Sequence, residues 1–279
     1  MNDSEEIYDD VEVSEVRLLL DVVYAKYGYD FRDYAYPSVK RRILNSVATE
    51  GVASISGLLD KIQNDPACMA RLLLHFTVHA SSMFRHPSFY KCFREKVVPQ
   101  LKTYPFVRIW HAGCSTGEEV YSMAILLHEE GIYKRSIIYA TDISEDVIQK
   151  AKSGIFPMNM MKEFTSNYLK SGGIESFSDY YTAQYDNALF SSHLKENIVF
   201  AKHNLVTDAS PNEFNVILCR NVMIYFKREL QNKTHELFFN SLIHFGYLGL
   251  GEKETLRFTP RENNYEEVDV SQKLYRRTA

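Results

Sequence analysis

The chain has 279 residues, 45% hydrophobic and 24% charged, with 32 Lys plus Arg against 36 Asp plus Glu and a net charge of -4. Those proportions fit one large globular domain or two smaller ones and exclude a disordered tail or a fibrous repeat; the mildly acidic balance counts against a body that coats nucleic-acid phosphates. No apolar run reaches the ~18 residues of a membrane span, the acidic start Met1–Glu6 is no secretory signal, and Cys68, Cys92, Cys114 and Cys219 form no CxxC pair, so reduced thiols in a cytoplasmic monomer are expected.

From residue 13 to about 100 the pattern is helical. Val13, Val16, Leu19, Leu20 and Val23 recur at helical spacing and Gly28 ends the run. Pro37 opens a second helix that Gly51 closes. Ser54–Asn64 is a third, Pro66 starts a fourth that ends near Phe76, and Pro87 starts a fifth that runs to about Lys102. Residues 1–100 are therefore expected to be a helical domain, with Lys102–Pro105 as linker.

After Pro105 the periodicity changes. Val107–Ala112 reads as a strand stopped by Gly113, and a helix follows through Tyr121, Ala124 and Ile125. Ser136–Asp142 is a second strand; Ser144 can cap a helix whose first turn carries Glu145 and Asp146, which suit the positive end of its dipole. Asn197–Phe200 and the wholly apolar Phe214–Cys219 are further strands, the latter of the kind buried on both faces. A helix from about Lys227 to His244 and the run Tyr247–Leu250 complete the series. Strands alternating with helices predict an α/β domain over residues 105–279 with a parallel sheet. Residues 155 to about 195, polar and rich in aromatics, interrupt the alternation; a small subdomain of antiparallel strands is expected there.

The turn Gly113-Cys114-Ser115-Thr116-Gly117-Glu118-Glu119 lies between a strand and a helix, where open α/β sheets bind ligands. A dinucleotide site needs more closely spaced glycines, and Glu118 and Glu119 repel a diphosphate. Gly113–Gly117 satisfies G-x-S-x-G, but the same carboxylates oppose an oxyanion and no HGGG-type segment precedes it. S-adenosylmethionine carries a sulfonium and an ammonium and no phosphate, so acidic side chains favour it. Asp142, at the end of the next strand, stands where a carboxylate accepts hydrogen bonds from ribose hydroxyls. This third chemistry accounts for the glycines and the acids together.

Phe214 to Phe226, with Cys219-Arg220-Asn221-Val222-Met223-Ile224-Tyr225-Phe226 at its end, resembles the signature of the CheR family, the chemotaxis receptor protein-glutamate O-methyltransferases. Ile109–Ser122 resembles that family's cofactor turn, Ala140–Ile143 its ribose-binding strand end, His203-Asn204-Leu205 the segment flanking adenine, and His75–Arg85 its approach to the active site. The resemblance runs from about Tyr29 to Leu274. It implies a small all-helical N-terminal domain, a Rossmann-like methyltransferase sheet with an inserted β-subdomain, and methyl transfer from S-adenosylmethionine, with S-adenosylhomocysteine as product, to glutamates on the cytoplasmic domain of chemoreceptors. It carries over His79, Ser81, Arg85, Gly113, Glu118, Asp142, Asn204, Leu205, Arg220 and Asn221 as cofactor-binding residues, and Arg85 and Tyr225 as the catalytic pair. No metal and no nucleic acid are implied. Departures from the family pattern are His79, Ser81, Met83, Val120 and the stretch Gly249–Thr255. They bear on the shape of the pocket, not on the class of cofactor.

A glutamate with a pKa of about 4.3 is ionised at neutral pH, so methyl transfer to it needs alignment and no general base. In the family, basic residues on the second helix face the acidic receptor. Here Lys40, Arg41 and Arg42 form the basic cluster, and Val39, Ile43, Leu44 and Val47 the apolar stripe, with Arg41 and Arg42 off it. A solvated helix face is the alternative for that cluster. For the chain, the alternatives are a cofactor-binding regulatory module and a methyltransferase acting on another protein.

Overall fold

The computed structural model describes residues 10–76 and 81–278. Two compact units emerge: one comprises Met1–Val78 and Tyr225–Leu230, the other His79–Ile224 and Gln231–Ala279. The division falls at Val78, ahead of the expected boundary near residue 100, because the helices after Pro87 bury Phe89, Tyr90, Phe93 and Val97 in the core of the second unit.

In the first unit, α1 (Asp10–Tyr27), α2 (Tyr36–Glu50), α3 (Ile55–Asn64) and α4 (Pro66–Phe76) follow the predicted order. Val16, Leu19, Leu20 and Val23 form the buried stripe of α1. Gly51 ends α2 at φ 66°, a left-handed conformation that costs glycine little. Ser54 caps α3 by accepting the Gly57 N–H at 3.1 Å. Glu50 takes Arg71 at 2.5 Å and Lys61 at 2.7 Å, tying α2 to α4 and α3. Residues 225–227, distant in sequence, pair with this unit: Ala35 N–H donates to the Tyr225 carbonyl and Lys227 N–H to the Asp33 carbonyl, each at 2.8 Å.

The second unit opens with α5 (Pro87–Cys92), a π turn, and α6 (Val98–Leu101). There follow β1 (Val107–Ala112), α7 (Glu118–Glu129), β2 (Ser136–Asp142), α8 (Glu145–Ser153), β3 (Ile155–Pro157), α9 (Met161–Lys170), β4 (Tyr181–Gln184), β5 (Asn187–Phe190), β6 (Ile198–Lys202), β7 (Phe214–Cys219), α10 (Arg228–Ser241), β8 (Leu242–Leu250), β9 (Tyr265–Asp269) and β10 (Leu274–Arg277). The main sheet has the order β6-β2-β1-β7-β8-β10-β9. Its first five strands are parallel, and β10 runs antiparallel to both its neighbours, β8 and β9. The chain moves outward from β1 through β2 to β6 and then returns to the other side of β1 with β7. That reversal opens a crevice at the carboxyl ends of β1 and its neighbours. All of β7 is buried, as its unbroken apolar run predicts.

The interruption holds a three-stranded antiparallel sheet, β3-β5-β4, as expected, and also α9, which the reading of strands missed. Met161, Phe164 and Tyr168 fall on one buried face of α9. Glu129, at the end of α7, accepts from Tyr180 Oη at 3.2 Å and from the Ile174 N–H at 3.1 Å, and is ion-paired with Arg94. One buried carboxylate thereby joins the subdomain to α7 and the π turn. Among the described residues no helix is long and apolar enough to cross a membrane.

Candidate functional site

Gly113 follows β1 at φ +85°, and a Cβ there would stand 2.5 Å from Val222 Cγ2. Both the backbone conformation and the close approach require glycine. Gly113 and Cys114 donate their N–H groups to the Thr141 carbonyl, each at 2.8 Å, which fixes the turn against the end of β2.

Asp142 terminates β2 and is 8% exposed. One of its oxygens accepts the Ser115 N–H at 2.9 Å and the other the Ser144 N–H at 3.1 Å. A carboxylate has further lone pairs, so Asp142 retains acceptor capacity for a diol. Burial pushes its carboxyl above the usual range, opposed by these amides. Ser144 holds the N-cap position of α8, but its side chain makes no capping bond; Asp142 occupies its amide instead.

Glu118 begins α7 and is 8% exposed. Thr116 Oγ1 lies 2.7 and 2.8 Å from its two oxygens, and the Ser81 side chain is near enough to favour its charge. Burial raises the Glu118 carboxyl despite these donors. Phe84 N–H donates to Ser122 Oγ at 2.8 Å, and Ser122 Oγ donates to the Glu118 carbonyl at 2.7 Å. The segment carrying Ser81 and Arg85 is therefore fastened to the first turn of α7. His79 lies outside the described residues. Arg85 is half-buried; with Arg220 it contributes to pushing down the neighbouring His86, for which burial is the largest cause.

Beyond Asp142, its carbonyl accepts the His203 N–H at 2.9 Å. Asn204 is buried and spends its side-chain oxygen on the Val206 N–H at 3.0 Å, making a local turn, while Leu205 is half-buried. Arg220 follows β7, donates to Glu119 at 2.8 Å and lies 4.1 Å over the Phe89 ring. His111 Nδ1 is 3.1 Å from the other Glu119 oxygen. Burial opposes the Glu119 charge, but Arg220 and His111 outweigh it and hold the carboxyl down at about 2. Asn221 comes next at φ 64°.

Direct contacts thus link Thr116 to Glu118, Ser115 to Asp142 and Asp142 to His203, and Val222 packs close on Gly113. Sequence reading missed Ser122, His111 and Glu119 as partners in this network, and also Glu254, whose carboxylate accepts from Asn221, Val222 and Met223. In the sequence the stretch Gly249–Thr255 stands out only by its departure from the family ending.

Tyr225 stands in the helical unit. The receptor-binding expectation for Arg42 requires an exposed side chain, and this the structure overturns. Arg42 is 3% exposed, donates to the Phe76 carbonyl and lies 4.3 Å over the Tyr225 ring. Leu44, assigned to the apolar stripe, is instead 42% exposed. Ile43 and Val39 define the buried side, and the turn of the helix carries position 42, not 44, onto it. Arg41 is exposed, and Lys40 pairs with Glu12 at 2.7 Å.

Residues 79–273 match the family described as "CheR methyltransferase, SAM binding domain", and residues 14–77 match "CheR methyltransferase, all-alpha domain". The chain belongs to the CheR methyltransferase family. A relative from Pseudomonas putida, "Putative methyltransferase Cher3", is 45% identical over 264 residues, covering 95% of this chain and 97% of that one. "Chemotaxis protein methyltransferase" of Listeria innocua is 27% identical over 237 residues, covering 84% and 87%. "Chemotaxis protein methyltransferase 1" of Pseudomonas aeruginosa is 26% identical over 245 residues, covering 84% and 86%.

As a member of the CheR family the chain is an S-adenosylmethionine-dependent methyltransferase. Its donor set fits that cofactor: two buried carboxylates answer a diol and a cation, and the Ser115 hydroxyl and His203 Nδ1 are buried without a hydrogen-bond partner. Among the described residues no cluster suits a metal ion.

Proposed function

We propose that the chain transfers a methyl group from S-adenosylmethionine to glutamate side chains on the cytoplasmic domains of chemoreceptors. The observation that carries the reading is that two buried carboxylates flank one glycine turn, Glu118 at its end and Asp142 on β2 accepting the N–H of Ser115 within it, in a chain that matches both CheR domains. The names of the relatives support chemotaxis as its setting.

When bound, the cofactor supplies an electrophilic methyl carbon on a sulfonium. Glu118 binds the amino group and Asp142 the ribose, while Asn204 and Leu205 border the adenine. Thr116 orients Glu118 by its hydrogen bonds, and Ser81 lies beside it. Arg220 is neutralised by Glu119, so it acts as support for the turn more than as a free cation. Arg85 orients the acceptor carboxylate, and Tyr225 flanks the reacting centre with its ring and hydroxyl. The acceptor is already ionised at neutral pH, its pKa being about 4.3, so no residue needs to remove a proton. The protein contributes alignment of oxygen, carbon and sulfur, and exclusion of water.

The test is incubation with methyl-labelled S-adenosylmethionine and receptor cytoplasmic fragments. Label that mild base releases as methanol identifies a carboxyl ester. Base-stable label, or no label on any receptor fragment, overturns the reading.

A further inference from the structure

Glu254 lies on the loop after β8, 5% exposed. Its Oε2 accepts the N–H groups of Gly251 at 2.6 Å and Asn221 at 3.0 Å; its Oε1 accepts those of Val222 at 2.9 Å and Met223 at 2.8 Å. One carboxylate therefore satisfies four backbone donors, three of them consecutive, on the loop that follows β7. Charge-assisted bonds of this kind are about twice as strong as neutral ones.

The loop needs such a clamp. Asn221 sits at φ 64°, a left-handed conformation that costs a non-glycine residue about 1 kcal/mol or more unless its surroundings impose it. Gly251 admits the loop: a Cβ there would lie 2.6 Å from both the Asn221 nitrogen and Glu254 Oε2. At the far side, Val222 presses on Gly113 closely enough to forbid any side chain there. The position of Val222 hence sets where the Gly113 turn can lie, and Glu254 sets the position of Val222.

We propose that Glu254 is a positioning residue for S-adenosylmethionine and S-adenosylhomocysteine, acting through the Asn221–Met223 backbone and Val222 on the Gly113 turn. It rests on the family's cofactor, not on the identity of the methyl acceptor. Failure of the receptor assay above therefore leaves it standing.

Glu254→Gln keeps the shape but turns an amide NH2 toward backbone N–H groups, so part of the clamp is lost. Calorimetry with S-adenosylhomocysteine is expected to show affinity reduced by about tenfold or more. Amide exchange of the free protein should quicken at residues 221–223 while β1, β2 and β7 stay protected. Asn221→Gly supplies the discriminating background, because glycine adopts the left-handed conformation without help. There, Glu254→Gln should cost clearly less affinity than it does beside Asn221. Affinity within about twofold of the wild type overturns the proposal, being far short of the penalty for unmet buried donors. An equal loss in both backgrounds, with faster exchange throughout the sheet, also overturns it, because it marks a contact that serves only overall stability. Should Glu254→Gln not fold, Glu254→Asp, one methylene shorter, is read by the same two measurements and the same criteria.

Discussion

The guanidinium of Arg42 lies 4.3 Å over the ring of Tyr225. It is anchored there by its bond to the Phe76 carbonyl, while the Tyr225 carbonyl accepts the Ala35 N–H at 2.8 Å. Arg42→Gln should destabilise the fold by ~0.5–2 kcal/mol, the span of a cation–π contact, and lower turnover through a misplaced Tyr225 ring. Cofactor affinity and the KM for receptor fragments should stay near wild type. A rise in KM that disappears in salt would return Arg42 to the docking role read from sequence.

Arg41, exposed on the same helix, carries the docking expectation that remains. Arg41→Glu should raise the KM for receptor fragments at low ionic strength, with the difference shrinking as salt is added, since exposed charges are screened over about 10 Å at 0.1 M. Steady-state kinetics at two salt concentrations checks it. A KM equal to wild type at low salt would leave the exposed arginine as a solvated charge.

Glu118 gives a pH signature. Burial raises its carboxyl above the ordinary range, so as pH falls it gains a proton before a free glutamate does. A protonated Glu118 loses its attraction for the cationic cofactor. Affinity for S-adenosylmethionine should therefore decline on acidification through the interval just above the normal carboxylate range, and Glu118→Gln should bind weakly with that pH dependence flattened. Calorimetry across pH 5–8 separates the two proteins.

Glu119 behaves oppositely. Its carboxyl, depressed to about 2 in the fold, contributes stability that is fully present above the unfolded value near 4.3 and is lost as pH falls through the folded value. Glu119→Gln leaves Arg220 without its counter-charge and should cost about 3 kcal/mol at pH 7. The gap between variant and wild type should narrow steadily below about pH 4. Urea unfolding at several pH values measures it.

Val222 and Gly113 offer a steric test. Gly113→Ala places a methyl group against Val222 and forces alanine to φ +85°. Cofactor affinity should drop by about tenfold or more, with ~1–3 kcal/mol of strain behind it. Adding Val222→Ala should restore only the part owed to the clash. No restoration would show that the contact does not govern the turn; full restoration would show that the φ of +85° adds no cost of its own.

Much of this architecture is legible in the residues because local signals agree with tertiary need. The apolar run of β7 and the Pro37 and Gly51 ends of α2 each state their own conformation. The places of Glu118 at the start of α7 and of Asp142 at the end of β2 were legible because Gly113 stops one strand, Gly117 precedes the next helix, and the apolar run of β2 ends at Asp142. The failures share a cause. Arg42 looks like surface by its charge, and its burial rests on partners far away in sequence, the Phe76 carbonyl and the Tyr225 ring. Glu254 acts on backbone amides, which carry no side-chain signature. Helix α9 hid because its buried residues, Met161, Phe164 and Tyr168, sit within a stretch whose aromatics suggested strands.

The polypeptide leaves the sheet after β7, contributes Tyr225–Leu230 to the helical unit, and then resumes the sheet domain. Severing the chain at Val78 consequently yields two fragments of which neither is whole. Grafting the first four helices from a distant homologue would likewise fail to reproduce the native environment of Tyr225 unless the donor also furnished counterparts of Asp33, Ala35 and Arg42. Inheritance of substrate preference in such hybrids should follow that six-residue loan as much as the helices themselves.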